Sequence, residues 1–130
     1  MATRGDYRNL KGTKGEDLAA AYLEKHGFVI LERNYRFMKA EVDLIAFLPA
    51  HDHESRGDLV FVEVKWRRTA LFAHPEAAVG TDKRRNMLLA AEAFLHERKL
   101  EGTPCRFDIV AITGEGSSLE LEHIESAFIG

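Results

Sequence analysis

A chain of 130 residues, 45% hydrophobic and 30% charged, has the length of one domain and the apolar mass for one core, which excludes collagen, coiled coil and whole-chain disorder. A single cysteine, Cys105, excludes an internal disulfide and an all-cysteine zinc site. The apolar runs fall far short of the ~20 residues of a membrane span, and residues 1–14 hold no apolar signal core, so a soluble, cytoplasmic single domain over 1–130 is expected. The net charge of −3 is segregated. Residues 1–14 carry Arg4, Arg8, Lys11 and Lys14 against Asp6, whereas 115–130 carry four glutamates and neither Lys nor Arg. Such segregation permits a basic face on an acidic protein.

In chain order, a basic arm (1–11) precedes Thr13-Lys-Gly-Glu16, which has capping-box spacing: a hydroxyl at the cap and a carboxylate three residues on. Leu18, Ala19, Tyr22 and Leu23 then recur at helical spacing before Gly27, predicting a helix over 14–26 that ends in a left-handed glycine. Strands are predicted over 28–35 and 40–48, the second stopped by Pro49, with a polar loop over 50–57. Residues 58–67 form the most apolar strand and fit a central position buried on both faces. After an irregular segment, a helix over 81–99 with Thr81 as cap is predicted, stopped near Gly102, followed by strands over 105–113 and 119–124. The order α-β-β-β-α-β-β predicts an α/β sandwich: one mixed sheet and two principal helices.

Two acids stand where a structural strand prefers apolar residues. Asp43 interrupts Val42, Leu44 and Ile45, and Glu63 interrupts Phe61, Val62 and Val64. An isolated buried carboxylate costs several kcal/mol, so each requires a cation, a metal or a proton nearby. Glu63 and Lys65, two apart, leave the same strand face. If the second and third strands pair antiparallel, Asp43 reaches that face too. Two carboxylates and a strand carbonyl, most naturally that of Val64, suit Mg²⁺ or Mn²⁺ with positions left for water and a phosphate oxygen. A bound ion of this kind activates water, and Lys65 would orient that water. Taken alone, Glu-x-Lys on a strand is more often a surface ion pair.

Together, Gly15-Glu16…Ala20, Arg33-Asn-Tyr-Arg36, Glu41-Val-Asp-Leu-Ile45, Val60-Phe-Val-Glu-Val-Lys-Trp-Arg67, Lys83 and Arg106-Phe-Asp-Ile-Val110 resemble the YraN-like, UPF0102 family over about residues 12–128. That family is similar to archaeal Holliday-junction resolvases of the PD-(D/E)XK type. The resemblance implies a restriction-endonuclease-like three-layer α/β/α fold with a central mixed sheet, and metal-dependent endonuclease activity on DNA, selective for branched structure rather than sequence. It implies metal-binding roles for Asp43 and Glu63, a motif role for Lys65, a completing acid in Glu16 and a supporting acid in Glu41. Lys83 corresponds to a basic residue that opens the second helix of the family. Resolvase-like relatives act as symmetric dimers, which makes Phe128 and Ile129 candidates for burial between copies. Ala40 and Ala73 stand where the family usually has glycine.

The basic knots Arg67-Arg68 and Lys83-Arg84-Arg85, with Arg36, are candidates for phosphate contacts that ignore sequence. Three cations opening a helix oppose its dipole, which favours an anionic partner there. Glu16 competes between capping and the metal site. The His51-x-His53 pair lacks converging ligands, Cys105 reads as a small core residue, and Asp108 fits a strand-edge ion pair as well as a functional role. The rival readings are a non-catalytic nucleic-acid-binding module of the same fold and a protein adaptor using the acidic C-terminal segment.

Overall fold

The computed structural model describes residues 4–50, 56–67 and 80–128. The elements run α1 (Arg4–Lys25), β1 (Val29–Phe37), β2 (Ala40–Pro49), β3 (Gly57–Arg67), α2 (Thr81–Glu97), β4 (Cys105–Thr113) and β5 (Glu120–Phe128), with one 3-10 turn at Gly116–Ser118. The five strands form a single sheet in the order β1-β2-β3-β4-β5. β1, β2 and β3 pair antiparallel, β3 and β4 parallel, and β4 and β5 antiparallel. The parallel pair requires a crossover, and α2 supplies it. β3, the most apolar strand, is central as expected.

The two helices lie on opposite faces. Ala19, Ala20 and Leu23 of α1 bury against Leu44, Val60 and Val62. Met87, Ala90 and Phe94 of α2 bury against Val42, Phe61 and Ile109. Strand alternation sends Val60 and Val62 to one layer and Leu59 and Phe61 to the other, so β3 feeds both cores. The result is an α/β/α sandwich whose element order fits the restriction-endonuclease-like fold.

The helix ends differ instructively from expectation. α1 is already helical from Arg4, so Thr13-Lys-Gly-Glu16 lies inside it and marks no helix start. Gly27 does stop α1: at φ +91° it sits in a Schellman closure, Phe28 N–H donating to Leu23 O (3.0 Å) and Gly27 N–H to Glu24 O (3.1 Å). α2 begins after Gly80, not at a Thr81 cap, and no side chain caps it. It ends at Glu97, short of the expected 99, because Leu100 N–H reaches Leu95 O (2.8 Å) and Lys99 N–H reaches His96 O (3.2 Å) in a second Schellman closure. Here Lys99 takes the left-handed position at φ +56° that glycine usually fills, and Gly102 serves the next turn.

β5 runs to Phe128, four residues past the predicted end at 124. Phe128 is buried in its own domain, stacked on Phe107 with ring centroids 5.0 Å apart, and Phe107 stacks on Phe61 at 5.5 Å. It therefore completes an aromatic row under α2 rather than offering an apolar tail to a partner; Ile129 lies outside the described residues. Cys105 is exposed at the start of β4, not in the core, with its thiol 3.3 Å from Thr103 O.

Asp108 is a buried hub rather than a strand-edge pair. Arg106 grips it with two bonds (3.0 and 2.9 Å), His123 Nε2 lies 2.7 Å away, and Ser126 N–H donates at 3.0 Å. Burial pushes its carboxyl up, but these partners outweigh that and hold it below its ordinary range. The hub pins β5 to β4 where their register shifts between Phe107 and Ile109. Asp108→Ala removes at once the buried acceptor shared by Arg106, His123 and the Ser126 N–H and is expected to cost about 3 kcal/mol, read as a lower urea midpoint.

Candidate functional site

β2 and β3 pair in continuous register from Pro49↔Gly57 to Leu44↔Val62, and the pairing stops there. On β2 the inside–outside alternation changes phase at the same point: Ala40 and Val42 face α2, whereas Leu44 and Ala46 face α1. Asp43 sits at the phase change. Its Oδ2 accepts the Val64 N–H at 2.8 Å, so a carboxylate takes the place of the missing ladder partner. Within an extended strand, N–H and C=O of one residue leave by the same edge, so the Val64 carbonyl faces this gap as well.

Glu63 and Lys65 leave β3 on the α2 side, alternating with Val62 and Val64, and Arg67 continues that row. Glu63 is 4% exposed. Two ammonium groups flank it: Lys65 Nζ lies 3.2 Å from Oε1 and Lys83 Nζ, from the first turn of α2, 3.3 Å from Oε2. The Lys83 approach is an ion pair set off the hydrogen-bonding direction, and Oε2 is left buried without a hydrogen bond. Lys83 thus answers the charge on Oε2 but leaves its lone pairs unbonded, which costs desolvation that a directly ligated cation would recover.

Glu16 stands on α1 beside the same gap. Gly15 lets the helix come close: a Cβ there would lie 3.3 Å from the Trp66 ring and 3.7 Å from Val64. Glu16 Oε2 accepts from Asn34 Nδ2 at 2.9 Å, and Arg33 pairs with Asp17 alongside. Asn34 falls between the pairs Arg33↔Leu44 and Tyr35↔Val42, opposite Asp43, and adopts φ +52°. Sequence reading missed Asn34 as a site residue. Its signal was an asparagine inside a strand, the residue type that tolerates left-handed backbone while offering an amide.

The Asp43 carboxyl is pushed up from 3.8 to about 7, by burial first and then by the Glu63 carboxylate. The Val64 N–H and Lys83 pull it down, and Glu16 adds to the rise. Acidic groups crowded into a poorly solvated gap are the pattern that a divalent cation relieves. The residues fit a hard cation held by Asp43, Glu63 and the Val64 carbonyl. Glu16 is not gathered with them: among the described residues no three Asp, Glu, His or Cys side chains form a metal-binding group, and Glu16 is tied to Asn34 instead.

The other expected residues divide. Lys83 reaches the site, while Arg84 lies over the Phe128 ring at 5.3 Å, directed to the aromatic row rather than to Glu63. Arg36 is exposed and sits 3.8 Å from Glu41, its register partner. Glu41 thus contacts Arg36 through an exposed ion pair. Arg68, Ala73, His51 and His53 lie outside the described residues. Among the described residues no helix is long and apolar enough to cross a membrane.

Residues 15–112 match the uncharacterised protein family UPF0102. The chain is 41% identical over 117 residues to a UPF0102 protein of Syntrophotalea carbinolica, covering 90% of this chain and 89% of the relative. It is 39% identical over 120 residues to one of Bacteroides thetaiotaomicron (92% and 93% covered) and 39% identical over 117 residues to one of Geobacter metallireducens (90% of each).

Because the folded-state pKa of Asp43 is raised, its contribution to stability is complete below the unfolded value of 3.8 and is lost as pH rises through about 7. Asp43→Asn keeps an oxygen for Val64 N–H and cannot ionise. Thermal melts are expected to show it stabilised relative to wild type at about pH 8, with the difference closing toward about pH 4.

Proposed function

The chain belongs to the UPF0102 family, and from its carboxylate pair at the parting strands we propose a metal-dependent endonuclease that hydrolyses phosphodiester bonds in DNA and selects branched or junction structure over sequence. The observation that carries this reading is the buried, unbonded Glu63 Oε2 beside Asp43, with two lysines turned toward the same carboxylate. A purely structural pair would satisfy its own acceptors.

Asp43, Glu63 and the Val64 carbonyl would hold Mg²⁺ or Mn²⁺. When bound, such an ion lowers the pKa of a coordinated water and neutralises charge on the scissile phosphate. Lys65, which pairs with Glu63, would orient the attacking water and offset negative charge as it develops. Lys83 supplies a second cation from α2, and Arg67, Arg68 and Arg36 would hold flanking phosphates by contacts that carry no base readout. Two paired cuts in a junction call for two such sites, hence a homodimer in action.

The alternative is a non-catalytic nucleic-acid-binding module. The observation that favours it is Glu16 held by Asn34 rather than joined to Asp43 and Glu63.

The deciding measurement incubates wild type and Asp43→Asn with duplex, single-stranded, flapped and four-way-junction DNA, in Mg²⁺, Mn²⁺ or EDTA. Wild type is expected to cut branched DNA only with metal. Asp43→Asn should fall by at least about 100-fold, since even outer partners of metal ligands cost up to that much. Binding without cutting on every substrate would hand the reading to the non-catalytic module.

A further inference from the structure

The turn between β1 and β2 breaks the rules for a hairpin tip. Two residues, Met38 and Lys39, connect the paired Phe37 and Ala40. Such tips are normally glycine, asparagine or aspartate, because they are wet and need positive φ. Here the residue at positive φ (+56°) is Met38, which pays a conformational cost that glycine would avoid. It is also 88% exposed, the most exposed large apolar side chain among the described residues, with Phe37 beside it at 40%. Neither side chain joins a core cluster. The tip therefore carries a conformational cost and a solvation cost that the fold does not recover.

Two further features say what would recover them. Arg36 and Lys39 flank the apolar pair, both exposed, so residues 36–39 read cation–aromatic–thioether–cation, with Arg36 in a long, exposed 3.8 Å ion pair to Glu41. Phe37, paired with Ala40, stands three residues along β2 from Asp43, roughly 10 Å along the strand, and Met38 lies just beyond it in the turn. An apolar wedge between two cations, one short span from a phosphate-cutting centre, matches a nucleobase with phosphates on either side. Methionine and phenylalanine are side chains that enter between base steps, and aromatic rings stack on unpaired bases whatever their identity.

We infer that Phe37 and Met38 form a wedge that stacks on an unpaired or splayed base next to the scissile phosphate, making this hairpin tip the element that selects branched DNA over duplex. The inference rests on the DNA reading above. In continuous duplex the bases are already stacked and the wedge finds no partner; at a branch point or bulge it replaces lost stacking.

The test places 2-aminopurine next to the branch point of a four-way junction, and in a bulge, and titrates in the full-length protein with EDTA present so that nothing is cut. Wild type is expected to change the probe's fluorescence and to bind branched DNA about tenfold tighter than the matching duplex. The double variant Phe37→Ser with Met38→Asn is expected to lose both, while duplex affinity moves by less than about twofold. Asparagine tolerates the left-handed turn position better than methionine, so Met38→Asn alone should hold or raise the melting temperature and controls for folding. An unchanged branched preference and probe signal in the double variant would overturn the wedge and leave DNA binding standing. So would an equal loss of affinity on both DNAs. Wild type that binds no DNA of any form would overturn the DNA reading and the wedge with it.

Discussion

Everything in the candidate site depends on one substitution of hydrogen-bond acceptors: the Asp43 carboxylate takes the Val64 amide where the next strand's carbonyl would otherwise pair. A sheet whose strands part in its interior leaves amides and carbonyls exposed to a poorly solvated gap, a costly arrangement unless they find partners. Asp43 meets half of that need. By reaching across, it permits β2 and β3 to separate after Leu44 and Val62 while remaining one sheet. The Val64 carbonyl is turned into the same opening, and Glu63 enters from the adjoining position on the strand. A carboxylate pair with an adjacent carbonyl thus arises from the manner in which the sheet opens.

That opening also sets the electrostatics. Burial and the neighbouring Glu63 raise the Asp43 carboxyl, and Glu16 raises it further from the α1 side. Lys83 from the crossover helix opposes that rise and Lys65 pairs with Glu63 from the same strand, so the site draws its positive charge from two separate elements. Lys83 is the more telling of the two, because a cation in the first turn of a helix opposes the dipole. Asp82 in the same turn eases that opposition, and Lys83 is turned to Glu63. Both helices thus add charge to the opening, α1 through Glu16, which raises the Asp43 carboxyl, and α2 through Lys83, which pairs with Glu63.

The element order and the central β3 were legible in the sequence because apolar runs bounded by Gly and Pro are strong signals. So were Asp43 and Glu63, since an acid within an apolar strand conflicts with its surroundings. What escaped was geometry without a pattern of its own. Asn34 lies opposite Asp43 only because of the β1–β2 register, and its amide partner Glu16 comes from a separate element, α1. The α1 start was misplaced because Thr13-Lys-Gly-Glu16 matches a cap in composition, and a capping box also reads well from inside a longer helix. Phe128 looked like a free apolar tail until Phe107 was seen beneath it, and Asp108 looked like an edge ion pair until β5 proved long enough to bring His123 and Ser126 to it. Apart from the α1 start, a local ambiguity, each miss is a tertiary contact overriding a correct local reading.

The parallel pairing of β3 with β4 carries a consequence for how the molecule assembles. β2 and β3 are neighbours in sequence, and their hairpin brings Asp43 and Glu63 together through a contact of low sequence separation. β3 meets β4 only after the long connection and α2 have been closed, a topological step that slows folding. The acids of the site are thus local partners, whereas Lys83 arrives with the crossover. Along such a folding route the repulsive half of the site is encoded early and its neutralising half late, so an incomplete chain emerging during synthesis, with β3 made and α2 not yet made, would hold two crowded carboxylates and only Lys65 to balance them.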